Sequence, residues 1–112
     1  MDNGTVRASD TAIWLAGSGF TYLTVTWGHI EANSAYGIYD QAGGAVWIGK
    51  GQTSNNQNNP LIAGGAYGVY TNGTNFGFYS GRIYGRDVAA INTVHGLNGT
   101  LIKDGHTAYL SW

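Results

Sequence analysis

Apolar and polar residues alternate in short runs along this chain, and the same runs return after about two dozen residues. "SAYGIYDQAGGAVWIGKG", residues 34–51, comes back as "GAYGVYTNGTNFGFYSGRIYG", residues 65–85. Gly28, Gly51 and Gly81 mark the places where one unit closes and the next opens. They divide the chain into about four coils, 4–27, 28–51, 52–80 and 81–103, followed by a C-terminal strand at 106–112. The third coil is lengthened by "QTSNNQNNP", which holds no apolar residue and reads as a loop.

Three short apolar stretches recur in each coil. The first aligns Val6, Ile30, Leu61 and Ile83, followed two residues on by Ala8, Ala32, Ala63 and Gly85. The second aligns Ile13, Ile38, Val69 and Ile91. The third aligns Leu23, Val46 and Phe76, then Val25, Ile48 and Phe78, with Leu101 as the fourth-coil member. Alternate apolar positions are the period of a strand with one buried face, so each coil predicts three short strands. A lone coil cannot bury that face, whereas stacked coils place Ile on Ile and pair each strand with the one above. The pattern therefore predicts an all-β fold, a right-handed single-stranded parallel β-helix forming one domain over residues 1–112. Rungs about 4.8 Å apart give four coils a length on the order of 20 Å. An antiparallel sandwich is the competing architecture, but it has no need of Tyr-Gly-Ile-Tyr at the same place in successive units.

Composition agrees. Nineteen Gly, eight Tyr, four Trp and a single Pro in 112 residues favour short strands and tight turns over helix. Five Lys/Arg against six Asp/Glu leave no basic footprint for nucleic acid. No apolar run approaches the roughly 20 residues of a membrane helix, so membrane insertion is not expected. The absence of cysteine excludes disulfides and thiolate metal sites. "MDNGTVRASD" lacks a signal-peptide pattern, so the chain reads as a mature part or a fragment of something longer.

"YGIYDQAGGAVWIGKG", "YGVYTNGTNFGFYSGRIYGRDVAAIN" and "LIKDGHTAYLSW" resemble the glycine- and tyrosine-rich parallel β-helix repeats of bacterial surface proteins, mostly of gut Firmicutes. The resemblance spans roughly residues 4–110. It implies a right-handed parallel β-helix, an extracellular or cell-surface setting and a stalk or adhesive role. It carries no catalytic residues.

Catalytic candidates are few. Asp2, Asp10, Glu31, Asp40, Asp87 and Asp104 form no column of paired acids such as glycosidic cleavage needs, and turn capping accounts for Asp10, Asp40 and Asp87. Glu31 aligns with Arg7 as an exposed ladder pair. His29, His95 and His106 have no metal-ligand spacing, and neither a metal nor a cofactor is expected. "GSGFTYLT" and "AGGAYG" read as corners, since no Lys-Ser or Lys-Thr follows them. The Asn-Gly sequons read as turns, and the "TVT" of Thr24 and Thr26 is broken in the next coil.

The aromatic pattern stands out. With Ile13, Ile38, Val69 and Ile91 inward, Trp14, Tyr39 and Tyr70 stack outward, flanked by the small column Ala12, Gly37, Gly68 and Ala90, and Trp47 belongs near the third face. Flat rings over a shallow strip suit sugar faces or another protein, or simply stabilise the sheet. The reading is a non-catalytic structural or adhesive module. Its rivals are a glycan-binding module using Trp14, Tyr39, Tyr70 and Trp47, and a remnant of a polysaccharide-cleaving enzyme. No cap is evident at either end, and Tyr109, Leu110 and Trp112 still need burial, so a homo-oligomer or filament through a coil end or the aromatic face is expected.

Overall fold

The computed structural model describes residues 1, 3–17, 20–49 and 56–112, so the restart expected at Gly51 lies outside the described residues. Those residues form strands and turns, with no helix among them. In chain order the strands are β1 (Thr5–Ala8), β2 (Ile13–Leu15), β3 (Tyr22–Val25), β4 (His29–Ala32), β5 (Tyr36–Asp40), β6 (Ala45–Ile48), β7 (Leu61–Gly64), β8 (Tyr67–Thr71), β9 (Asn75–Phe78), β10 (Arg82–Gly85), β11 (Ala89–Ile91), β12 (Gly96–Leu97), β13 (Thr100–Asp104) and β14 (Thr107–Ser111).

Successive strands are dealt in turn to three sheets. The first has the order β1-β4-β7-β10-β14-β13, the second β2-β5-β8-β11 and the third β3-β6-β9-β12. The first twelve strands pair in parallel, each with the strand three places along. That pairing is what a sequence period imposes: equivalent residues of successive units become neighbours.

The expected columns hold in the second sheet, where Ile13 pairs with Ile38, Ile38 with Val69 and Val69 with Ile91. They hold in the third as well, where Leu23, Val46 and Phe76 are in register, beside Val25, Ile48 and Phe78. Two assignments need correction. In the first sheet Ile30 pairs with Ile62, and Ile62 with Ile83, so the column runs through Ile62 and Gly64 rather than Leu61 and Ala63. The polar insertion before β7 hides the count, and both neighbours are apolar. In the third sheet the residue opposite Phe78 is Leu97, not Leu101.

The core lies between the sheets. Ile30, Ile62 and Ile83 of the first meet Ile38, Val69 and Ile91 of the second and Val46, Phe76 and Phe78 of the third, all buried. Corners before β1, β4 and β10 are made by Gly4, Gly28 and Gly81 at φ of 99°, 112° and 97°, a region closed to side chains with a Cβ. Before β7 the same corner is Asn59–Pro60, whose peptide bond is cis.

The end of the chain departs from expectation. Gly105, at φ 62°, and His106 turn β13 back into β14, and β14 lies antiparallel on the edge of β10, Ile83 opposite Ala108. Ala108 and Leu110 are fully buried within the same chain. Gln57 Nε2 donates to the Leu110 carbonyl at 2.8 Å, and the Arg82 guanidinium lies 4.9 Å from the centre of the Tyr109 ring. Leu110 therefore needs no partner molecule for its burial, and the hairpin is a cap on one sheet that the sequence reading missed.

Candidate functional site

The second sheet carries a cluster of five rings on its outer side. Trp14 stacks on Tyr39 at 6.0 Å with planes 17° apart, and Tyr39 meets Tyr70 edge to face at 5.8 Å. Trp14, Tyr39 and Tyr70 are thus together, as the register of β2, β5 and β8 requires. The cluster also contains Tyr36 and Tyr67, stacked at 6.1 Å and lying 4.7 Å from Tyr39 and 5.0 Å from Tyr70 respectively.

Those two rings come from a departure from alternation. The small column expected outside faces the core. A Cβ on Gly37 would lie 2.9 Å from Cγ2 of Ile62, one on Gly68 would lie 2.4 Å from Cγ2 of Ile83, and Ala90 is buried. Gly37 and Ile38 therefore both face inward, as do Gly68 and Val69, which sends Tyr36 and Tyr67 out to join the column. The paired "AYG" of the two units was the signal: a Tyr repeated before a Gly is itself a column.

These rings largely cover one another. Burial raises the Tyr36 phenol above the ordinary tyrosine range, and the neighbouring Tyr39, Tyr70 and Tyr67 raise it further. Trp14 is the exception, 59% exposed, with its Nε1–H fixed on Gln41 Oε1 at 2.9 Å. One face of its indole rests on Tyr39.

Trp47 is elsewhere. It lies on the third sheet, where its ring is 6.0 Å from Tyr22, which in turn is 6.3 Å from Phe20. Phe20 and Tyr22 are 74% and 67% exposed, the most open rings of the described residues. Neither was singled out by the sequence pattern, because each precedes an alternating strand or opens it and has no counterpart in the next unit.

Asp10, Glu31, Asp40, Asp87, His95 and His106 are engaged in the framework. Asp40 is fully buried at a corner, where Oδ1 accepts the N–H groups of Gly43 at 3.1 Å and Gly44 at 3.2 Å, and Oδ2 accepts the Thr71 hydroxyl at 2.9 Å. Asp10 accepts the Ser34 hydroxyl at 3.1 Å, and Asp87 sits 3.5 Å from Arg86. Arg7 and Glu31 form the expected exposed pair at 3.0 Å. The Phe76 N–H donates to His95 Nδ1 at 3.1 Å, and His106 Nδ1 is 2.9 Å from the Arg86 carbonyl. Among the described residues no group of three His, Asp or Glu is placed to hold a metal, and no pocket opens between the sheets.

The Asp40 corner makes a direct test of the capping role. Asp40→Ala strands two amides and a hydroxyl, and each buried donor left unpaired costs about 1–3 kcal/mol. A lowered midpoint in urea is expected, with Asp40→Asn recovering part of the loss through its remaining acceptor oxygen. Equal midpoints for wild type and Asp40→Ala would remove the role.

No protein-family model, curated protein or solved structure matches this chain.

Proposed function

We propose that the chain is a non-catalytic structural or adhesive module of a bacterial surface or extracellular protein, folded as a right-handed single-stranded parallel β-helix of about four coils with three strands each. The cyclic dealing of strands to three parallel sheets supports the helix, and the general rule for crossovers between parallel strands supports its hand. The observation that carries the functional reading is a sheet-borne outer face with rings left open to solvent, Phe20 and Tyr22 beside Trp47. Contiguous exposed apolar surface of that kind marks an interaction site. Tyr22 and Trp47 stand on the paired strands β3 and β6, which gives their part of the face a rigidity that a loop would lack.

The engagement of Asp40 by three donors favours this over the enzyme remnant, because a carboxylate committed to a corner cannot reach a glycosidic bond. The second reading is a glycan-binding module. It is favoured by the chemistry of the third-sheet face, where uncharged rings offer flat surfaces to the apolar faces of sugars.

A glycan array read with the folded protein tests it. Saturable binding is expected, lost on Tyr22→Ala or Trp47→Ala; loss on Trp14→Ala or Tyr39→Ala instead would move the ligand to the second sheet. Absence of binding at high protein concentration would remove the glycan reading and leave the structural one.

A further inference from the structure

Indole and phenol are the side chains that most readily give up a single electron in a chain without cysteine. Five of them meet on the outer side of the second sheet. The ring centres run 6.0 Å from Trp14 to Tyr39 and 4.7 Å on to Tyr36, which lies 5.5 Å from Tyr70 and 6.1 Å from Tyr67. Trp14 is exposed and the four tyrosines are half-buried, so an oxidant in solution meets the indole first. One indole face rests on Tyr39, with the planes 17° apart. An electron lost from Trp14 is replaced from the phenol beneath it, whose proton passes to water, and the vacancy moves to Tyr39.

Orientation then selects the partner. The unpaired electron of a phenoxyl radical occupies orbitals normal to the ring, with density on the oxygen and on the two carbons beside its attachment. Two such radicals join face to face, not edge to face. Tyr39 meets Tyr70 at 76° and Tyr67 meets Tyr70 at 70°, both edge on. Tyr36 and Tyr67 are 20° apart in plane, but their centres are separated by 6.1 Å. Tyr36 and Tyr39 combine a tilt of 32° with 4.7 Å, the shortest ring separation among the described residues. They meet because Gly37 and Ile38 both turn inward, which sends out on one side two residues that strict alternation would put on opposite sides. Groups held in contact in this way react as parts of one molecule, with an effective concentration far above any reached in solution.

We infer that the second sheet carries an oxidative modification site, at which electron loss through Trp14 joins Tyr36 to Tyr39 as a dityrosine. The oxidant is a haem peroxidase supplied with hydrogen peroxide. Each phenol gives up one electron and one proton, and the two radicals pair to form a carbon–carbon bond beside their oxygens. The hydrogen on each joined carbon then moves to the neighbouring oxygen, which restores both aromatic rings. The two electrons and two protons released reduce one peroxide to two waters. Tyr22 is more exposed than any of the four, but its ring neighbours are Phe20 and Trp47, so its radical finds no tyrosine within its own molecule. The site lies apart from the third-sheet face and does not depend on what that face binds.

Peroxidase and peroxide applied to the dilute folded protein test it, read by the blue fluorescence of dityrosine and by mass. The expected product is a monomer lighter by two hydrogens. Trypsin cuts after Arg7, Lys50 and Arg82, so the loss should fall within peptide 8–50, with none linking it to peptide 51–82. Tyr36→Phe and Tyr39→Phe, which keep the rings and should keep the circular dichroism of the wild type, should each abolish the product. Tyr67→Phe should leave it in place. Trp14→Phe should slow its formation severalfold. An unchanged mass under conditions that couple free tyrosine, a bond between the two peptides, covalent dimers in place of the internal bond, product surviving in a folded Tyr39→Phe, or an undiminished rate in Trp14→Phe would each overturn the proposal.

Discussion

Ile38→Ala lowers the free energy of unfolding by about 2–5 kcal/mol, the range for truncating a fully buried aliphatic side chain. Ile38 has no exposed surface and sits mid-column, with Ile13 on one side and Val69 on the other. The residues around it belong to strands paired on both edges, so the cavity cannot close by moving one of them. Against a total of about 5–15 kcal/mol for an ordinary domain, such a loss is visible as a large drop in the urea midpoint. The same substitution at Ile13, in the outermost strand, should cost less because that site is already half open. A loss at Ile38 below about 0.5 kcal/mol, the level of a surface site, would mean that the column is not inside.

Gly64→Ala should be worse. A methyl at this position would fall 1.7 Å from the Tyr67 carbonyl oxygen, 2.6 Å from its carbon and 2.8 Å from the Gly37 nitrogen. All three are backbone atoms, so no side chain can rotate away. Relief requires moving β8 off β7 at the corner that joins them, in the middle of the molecule. The expected cost exceeds the about 1–3 kcal/mol of ordinary overpacking. The measurement is a thermal melt followed by near-ultraviolet circular dichroism, with loss of the cooperative transition expected; a melting temperature like that of wild type would show the corner to be looser than its atoms indicate.

The contrast between these two residues also explains what could be read from sequence. Ile38 announces its side by its chemistry and by its repeats at Ile13, Val69 and Ile91, and the registers of the second and third sheets were legible for that reason. Glycine announces nothing about sides. Gly37 and Gly68 were assigned to the outside by strict alternation, and the structure turns them inward against Ile62 and Ile83, which brings Tyr36 and Tyr67 into the outer cluster. The slip at Leu61 has another cause, an insertion that breaks the count just where two apolar residues adjoin. The closing hairpin was within reach: Gly105 opening a two-residue loop between two runs of alternating residues is a hairpin signal, masked by the expectation that every strand would be another parallel rung. Phe20 and Tyr22 were not legible, since their exposure depends on how far the sheet surface beneath them is filled.

The closing hairpin bears on synthesis. Each parallel pair joins residues one whole unit apart, as Thr5 with His29, so no rung can form until the following one has left the ribosome, and pairing of this range is slow. The hairpin is different: Asp104 and Thr107 are nearly adjacent in sequence, so it can zip up locally, yet it is made only after β10, whose edge it covers. At about 5–20 residues per second, the edge of β10 stays bare for one or more seconds on every nascent chain. During that interval neighbouring chains on one message each display a parallel edge of the same register. A ribosome stall or a premature stop ahead of Thr100 makes that exposure permanent, turning a brief vulnerability of translation into a seed for co-aggregation.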